Sequence, residues 1–201
     1  MKTRFLCAVL LTLSLGQAQA VENRLAGKWT ADVRSKGGLG ATLIFTDKGG
    51  VTSTFGALVD FSYKVEGQMI KMSFPDNPQQ AAEPYAFEGD KLVIYPADSQ
   101  KRQVRTRVGA AQDGAPRIVG VWAFKHQTGP MAQIRYTQAG AGFLSIPMKT
   151  IKGRYRLKAD TLTMEFKGQA PLSGKIRLDD DHLTLLGGGE KPDQAFTRVS
   201  P

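Results

Sequence analysis

The chain has two histidines, His126 and His182, and a single cysteine, Cys7, which leaves little scope for metal or nucleophile chemistry. A zinc site needs three or four convergent ligands. Asp179-Asp180-Asp181 beside His182 is the one acidic cluster, and its composition is that of a hairpin turn. No Gly-x-Ser-x-Gly occurs, and no serine or threonine has an identifiable base partner. Gly37-Gly38-Leu39-Gly40 and Gly187-Gly188-Gly189 lack the Lys-Ser/Thr that a phosphate loop requires, so they read as hairpin loops. These residues point away from an enzyme, a cofactor and a metal site.

Two basic features remain. Lys152, Arg154, Arg156 and Lys158 alternate with Ile151, Gly153, Tyr155 and Leu157. At the period of a strand the four cations share one face, a ridge suited to an anionic partner such as an acidic envelope component. No aromatic is interleaved with them, which argues against single-stranded nucleic acid. Arg105 is the second feature. It shares a strand face with Arg107, so it is expected either inside the fold, where it needs an anionic ligand or carboxylate, or at a wet end beside Lys101 and Arg102.

The elements that position these residues follow from a repeat. Leu25-Ala26-Gly27-Lys28-Trp29 corresponds to Ile118-Val119-Gly120-Val121-Trp122, and Val104-Arg105-Thr106-Arg107-Val108 to Ala195-Phe196-Thr197-Arg198-Val199. Tyr63 matches Tyr155 at an offset near 92 residues. The basic ridge therefore corresponds to Asp60, Ser62, Lys64 and Glu66, which is close to neutral, and Arg105 corresponds to Phe196.

Short alternating runs broken by turn residues predict an all-β antiparallel meander. In the first repeat strands are expected near 26–34, 40–46, 50–55, 59–66, 69–74, 84–88, 91–95 and 102–108. In the second they fall near 119–126, 131–137, 141–146, 151–158, 161–167, 172–178, 182–186 and 194–199. The domain reading is a first β unit at 21–109, a linker at 110–117 and a second unit at 118–201. Each unit is expected to close as its own up-and-down barrel; the alternative is one larger barrel or sandwich built from both repeats. Lys2 and Arg4, an apolar run and Ala18-Gln19-Ala20 have the pattern of a signal peptide spanning 1–20, which predicts a secreted, periplasmic protein with no transmembrane segment. Residues 21–110 carry 12 Lys/Arg against 10 Asp/Glu, and 111–201 carry 13 against 8, so the basic excess lies in the second repeat.

The tandem Gly-x-Trp at Gly27-Lys28-Trp29 and Gly120-Val121-Trp122, each with an arginine on a closing strand, resembles the calycin superfamily of lipocalin-like barrels. It is closest to the small bacterial lipocalin-like domains. In that family the tryptophan closes one end of the barrel and the arginine lies across its indole. The resemblance implies the pairs Trp29 with Arg107 and Trp122 with Arg198, one pair within each repeat. It also implies a non-enzymatic protein that binds a small hydrophobic or amphipathic ligand. Each repeat is about half the length of a ligand-carrying lipocalin and lacks its Thr-Asp-Tyr motif, and strands this short can give a barrel filled by its own side chains.

Overall fold

The computed structural model describes residues 24–35, 37–75, 77–95, 102–189 and 192–199, with the side chains of 77–80 excepted. The expected leader at 1–20 lies outside the described residues, as does Lys101. The protein is all-β. Its fourteen strands are β1 (Gly27–Ala31), β2 (Leu39–Phe45), β3 (Gly50–Glu66), β4 (Met69–Phe74), β5 (Asn77–Glu88), β6 (Lys91–Ile94) and β7 (Gln103–Val108), then β8 (Gly120–Lys125), β9 (Met131–Tyr136), β10 (Ala141–Lys158), β11 (Thr161–Phe166), β12 (Leu172–Leu178), β13 (His182–Leu185) and β14 (Gln194–Arg198). Each pairs antiparallel with its neighbours in sequence, and β1 pairs with β14, so the ring leaves no free edge. Burial alternates along β4 and β9 as expected of strands with one face in a core. No helix among the described residues is long and apolar enough to cross a membrane.

Two strands differ from the sequence reading, and they change the architecture. The breaks expected at 56–58 and 147–150 do not occur. Instead β3 runs for 17 residues and β10 for 18, about three times the usual strand length. A turn at either point would have folded the chain back on its own repeat. An extended segment carries it onward, as when a straightened hinge loop exchanges elements in a domain swap.

The chain forms two compact units that follow this exchange and not the repeat boundary. A flanking barrel takes residues up to 33, residues 41–54 and residues 150 onward. It thus holds β1, β2, the start of β3, the end of β10 and β11 to β14. A central barrel takes 34–40 and 55–149, hence the end of β3, β4 to β9 and the start of β10. An additional β3–β10 pairing closes each circuit. In the flanking barrel the Tyr155 amide donates to the Gly49 carbonyl, and in the central barrel the Tyr63 amide donates to the Gly140 carbonyl. At Gly56 the strands approach so closely that a Cβ would stand 2.2 Å from the Ile146 carbonyl oxygen, so only glycine fits.

Each barrel has its own core. Trp29, Phe45, Val51, Tyr155, Leu162 and Phe196 belong to the flanking core, and Phe61, Tyr63, Ile70, Trp122, Ile134 and Tyr136 to the central one. Both cores draw on both repeats. The stretch read as an interdomain linker is a loop within the central barrel: it joins β7 to β8, which pair directly with Arg107 opposite Trp122. That loop is packed, with Ala115 against the core and the Arg117 guanidinium 4.2 Å from the Phe87 ring centroid.

Candidate functional site

The exchange re-sorts the tryptophan–arginine pairs. Trp29 stands opposite Arg198 across β1 and β14, with the guanidinium carbon 4.1 Å from the ring. Trp122 meets Arg107 at 4.2 Å. Pairing within a repeat, as the resemblance implied, is therefore corrected to pairing between repeats, because β7 follows β3 into the central barrel. The two locks have the same geometry. Each indole N–H donates to a carbonyl four residues earlier, Leu25 or Ile118, at 2.8 Å. Arg198 donates to the carbonyls of Ala26, Asp180 and Arg24, and Arg107 to those of Val119 and Arg117. Stacking and charge-assisted hydrogen bonds tie β1 to β14 in the flanking barrel and β7 to β8 in the central one. Gly27 and Gly120 have φ of 134° and 133° and lie under the guanidinium, where a Cβ would come within 2.6 and 2.3 Å of Nη1.

The flanking barrel contains a half-open cavity of about 450 Å³. Alternation along the strands turns Ala41 and Leu43 of β2, Leu162, Met164 and Phe166 of β11, and Phe196 of β14 into it. Ser53 and, at the exposed rim, Gln194 add neutral polar groups, and Gly187-Gly188 border it. Lys175 is the one charged residue in the lining. It lies on the outward side of β12, and its ammonium is 3.3 Å from Asp160. That hydrogen bond to Lys175 holds the Asp160 carboxyl below its ordinary pKa.

The repeat also shows where the two barrels differ in side-chain bulk. Register equates Phe61 with Gly153, Phe124 with Ala31, Tyr85 with Ile176 and Phe87 with Leu178. At all four positions the central barrel has the aromatic and the flanking barrel the smaller residue. In the central barrel Phe61 packs on Tyr136, Tyr85 on Phe87 and Phe87 on Trp122, with centroids 5.7 to 6.0 Å apart.

Arg105 is the other marked difference. The structure places it inside the central barrel with 5% of its surface exposed, and not at a wet end. Its guanidinium donates to Tyr136 Oη at 2.8 Å and to Gln103 Oε1 at 2.8 Å, lies 3.7 Å from Glu83 and covers the Phe124 ring at 4.9 Å. A protein carboxylate thus supplies the counter-charge. Leu92 pairs with Arg105 as Leu183 pairs with Phe196, and Ile70 pairs with Glu83 as Leu162 pairs with Gly174. The buried Arg–Glu pair of one barrel is therefore Phe196 and Gly174 in the other, and both of those line the cavity. Glu83 was not singled out from the sequence; reading position 174 back through the repeat would have found it.

Burial holds the Tyr136 hydroxyl above its ordinary pKa of 10.0, against a smaller opposing pull from Arg105. Its folded value exceeds the unfolded one, so its contribution is intact below pH ~10 and is lost as pH rises through the folded value. Urea titrations at increasing pH are expected to show stability falling above about pH 10, with a smaller fall in Tyr136→Phe.

Lys152, Arg154, Arg156 and Lys158 are all exposed on the outer face of β10, as the alternation requires. Among the described residues none of the four is in an ion pair. On the corresponding face of the central barrel both acids are paired: Asp60 with Arg34 at 2.6 Å, and Glu66 with Lys71, which holds its carboxyl below the ordinary range. His126 is bonded through Nδ1 to Thr128 in an exposed turn, and His182 is exposed on β13. No cluster of metal-ligating side chains occurs among the described residues. No protein-family model, curated protein or solved structure matches the chain.

Proposed function

We propose that the protein is a non-enzymatic carrier that holds an apolar or amphipathic small molecule in the flanking barrel. The supporting observation is the cavity of about 450 Å³, within the ~300–1,000 Å³ range of small-molecule sites and lined chiefly by aliphatic and aromatic side chains. The Gly-x-Trp resemblance to lipocalin-like barrels agrees with this reading, and the signal-peptide pattern is consistent with a secreted or periplasmic carrier. A neutral lipophilic fluorophore such as phenylnaphthylamine is expected to bind one to one with enhanced emission. Ala41→Phe, which puts a ring into the cavity, is expected to weaken binding at least about tenfold, equivalent to ~1.4 kcal/mol. Equal binding by the variant would remove the cavity from consideration.

A second reading has its own support in the four unpaired cations on β10. They form a docking face for an acidic envelope surface, with the barrels as scaffold. Sedimentation with anionic phospholipid vesicles is expected to fall steeply with salt and to be lost when all four are changed to serine. Retention of the variant on vesicles would dismiss this reading and leave the carrier untouched.

A further inference from the structure

The carrier reading can be taken further, because the central barrel shows what the flanking barrel would need in order to hold a charge. We infer that the cavity takes an uncharged, chiefly aliphatic molecule with one neutral hydrogen-bonding group, an alcohol or ester, and rejects the matching carboxylate. This rests on the carrier reading. The two barrels share a register, and at equivalent positions one has Arg105 and Glu83 while the other has Phe196 and Gly174. The cavity thus has a phenyl ring where its sister has a buried cation and a glycine where its sister has that cation's counter-charge.

Its polar groups are of one kind. Ser53 stands in the lining and the exposed Gln194 at its rim, and both are neutral groups that donate and accept. Gln194 corresponds to Gln103, whose carbonyl oxygen accepts from Arg105 in the central barrel. With phenylalanine in place of that arginine, the Gln194 amide is directed to whatever fills the cavity. Lys175 offers no inward cation, since its ammonium is at Asp160. A carboxylate inside this lining would lose its hydration without a partner. It would enter as the neutral acid, and with an ordinary carboxyl pKa of ~4.3 that form is a few parts per thousand at neutral pH. The size also fits: at ~30 Å³ for a water-sized group, the volume takes about fifteen such groups, the length of a medium-chain alcohol.

The test compares dodecanol with dodecanoate by competition against phenylnaphthylamine on the full protein. Dodecanol is expected to bind about five-hundredfold more tightly at neutral pH, the penalty of protonating the acid. Dodecanoate affinity should then rise close to tenfold for each unit that pH falls toward about 5. Gln194→Leu is expected to weaken dodecanol while leaving dodecane unchanged. Gly174→Glu with Phe196→Arg copies the central barrel's pair into the cavity and is expected to abolish dodecanol binding while the melting transition persists. Dodecanoate binding as tightly as dodecanol with no pH dependence would overturn the inference and spare the carrier reading. If neither these compounds nor the fluorophore binds, both fall. An unfolded double variant passes the decision to Gln194→Leu and the pH series.

Discussion

Arg105→Leu should destabilise the protein by about 3–5 kcal/mol, read as a shift in the urea midpoint at constant slope. The replaced guanidinium is 6% exposed and serves three polar partners together with the Phe124 face. Truncation removes the cation 3.7 Å from Glu83, which is 21% exposed, and leaves Tyr136 Oη without this donor. Breaking a buried pair on one side is costly in this way, whereas replacing both partners with matched apolar groups is often close to neutral. The repeat supplies the matched replacement. Glu83→Gly with Arg105→Phe copies the flanking barrel and should recover most of the loss. A single variant as stable as the parent would mean that solvent already screens the pair. A double variant as unstable as the single one would mean that volume, and not charge, governs this part of the core.

The second large effect concerns which pieces of the chain fold alone. The segment 55–149 carries the end of β3, β4 to β9, the start of β10 and every buried residue of the central core. It should fold by itself with a cooperative urea transition. The segment 24–109 corresponds to a whole repeat, yet it should stay unfolded as a monomer. It holds Trp29, Phe45 and Val51 of one core without Tyr155, Leu162 and Phe196. It also holds Phe61, Tyr63 and Ile70 of the other without Trp122, Ile134 and Tyr136. Circular dichroism and size-exclusion chromatography distinguish these outcomes. A cooperative monomeric 24–109 would show that a repeat can close on itself and that the exchange is a choice between two closures of similar stability.

Strand positions were largely readable from sequence because apolar alternation and glycine turns are local signals. Asp47-Lys48-Gly49-Gly50 and Glu66-Gly67-Gln68 form turns where expected, with Gly49 and Gly67 at φ of 75° and 58°. The segments Gly56-Ala57-Leu58 and Pro147-Met148-Lys149-Thr150 misled because glycine and proline mark breaks statistically, while here they permit a close crossing of β3 and β10. That single difference moved each arginine to the other tryptophan. The shared face of the four cations needed only the period of two. The environment of Arg105 and the location of the cavity needed the strand register, which fixes the cross-strand neighbours and is not a property of any one strand.

The nesting of one barrel inside the sequence of the other imposes a timetable on biosynthesis. By the time residue 149 has been made, the central barrel has all its strands, while the flanking barrel has only β1, β2 and the start of β3. The Arg198 guanidinium that reaches the Ala26 carbonyl lies 172 residues downstream of it. At ~5–20 residues per second, the first strands wait on the order of ten to thirty seconds for their partners. Throughout that interval Trp29, Leu43 and Phe45 are apolar surface on a tethered, unfinished chain. A finished module therefore stands on the growing chain while its leading strands are still open, and those strands are where a chaperone has most reason to bind.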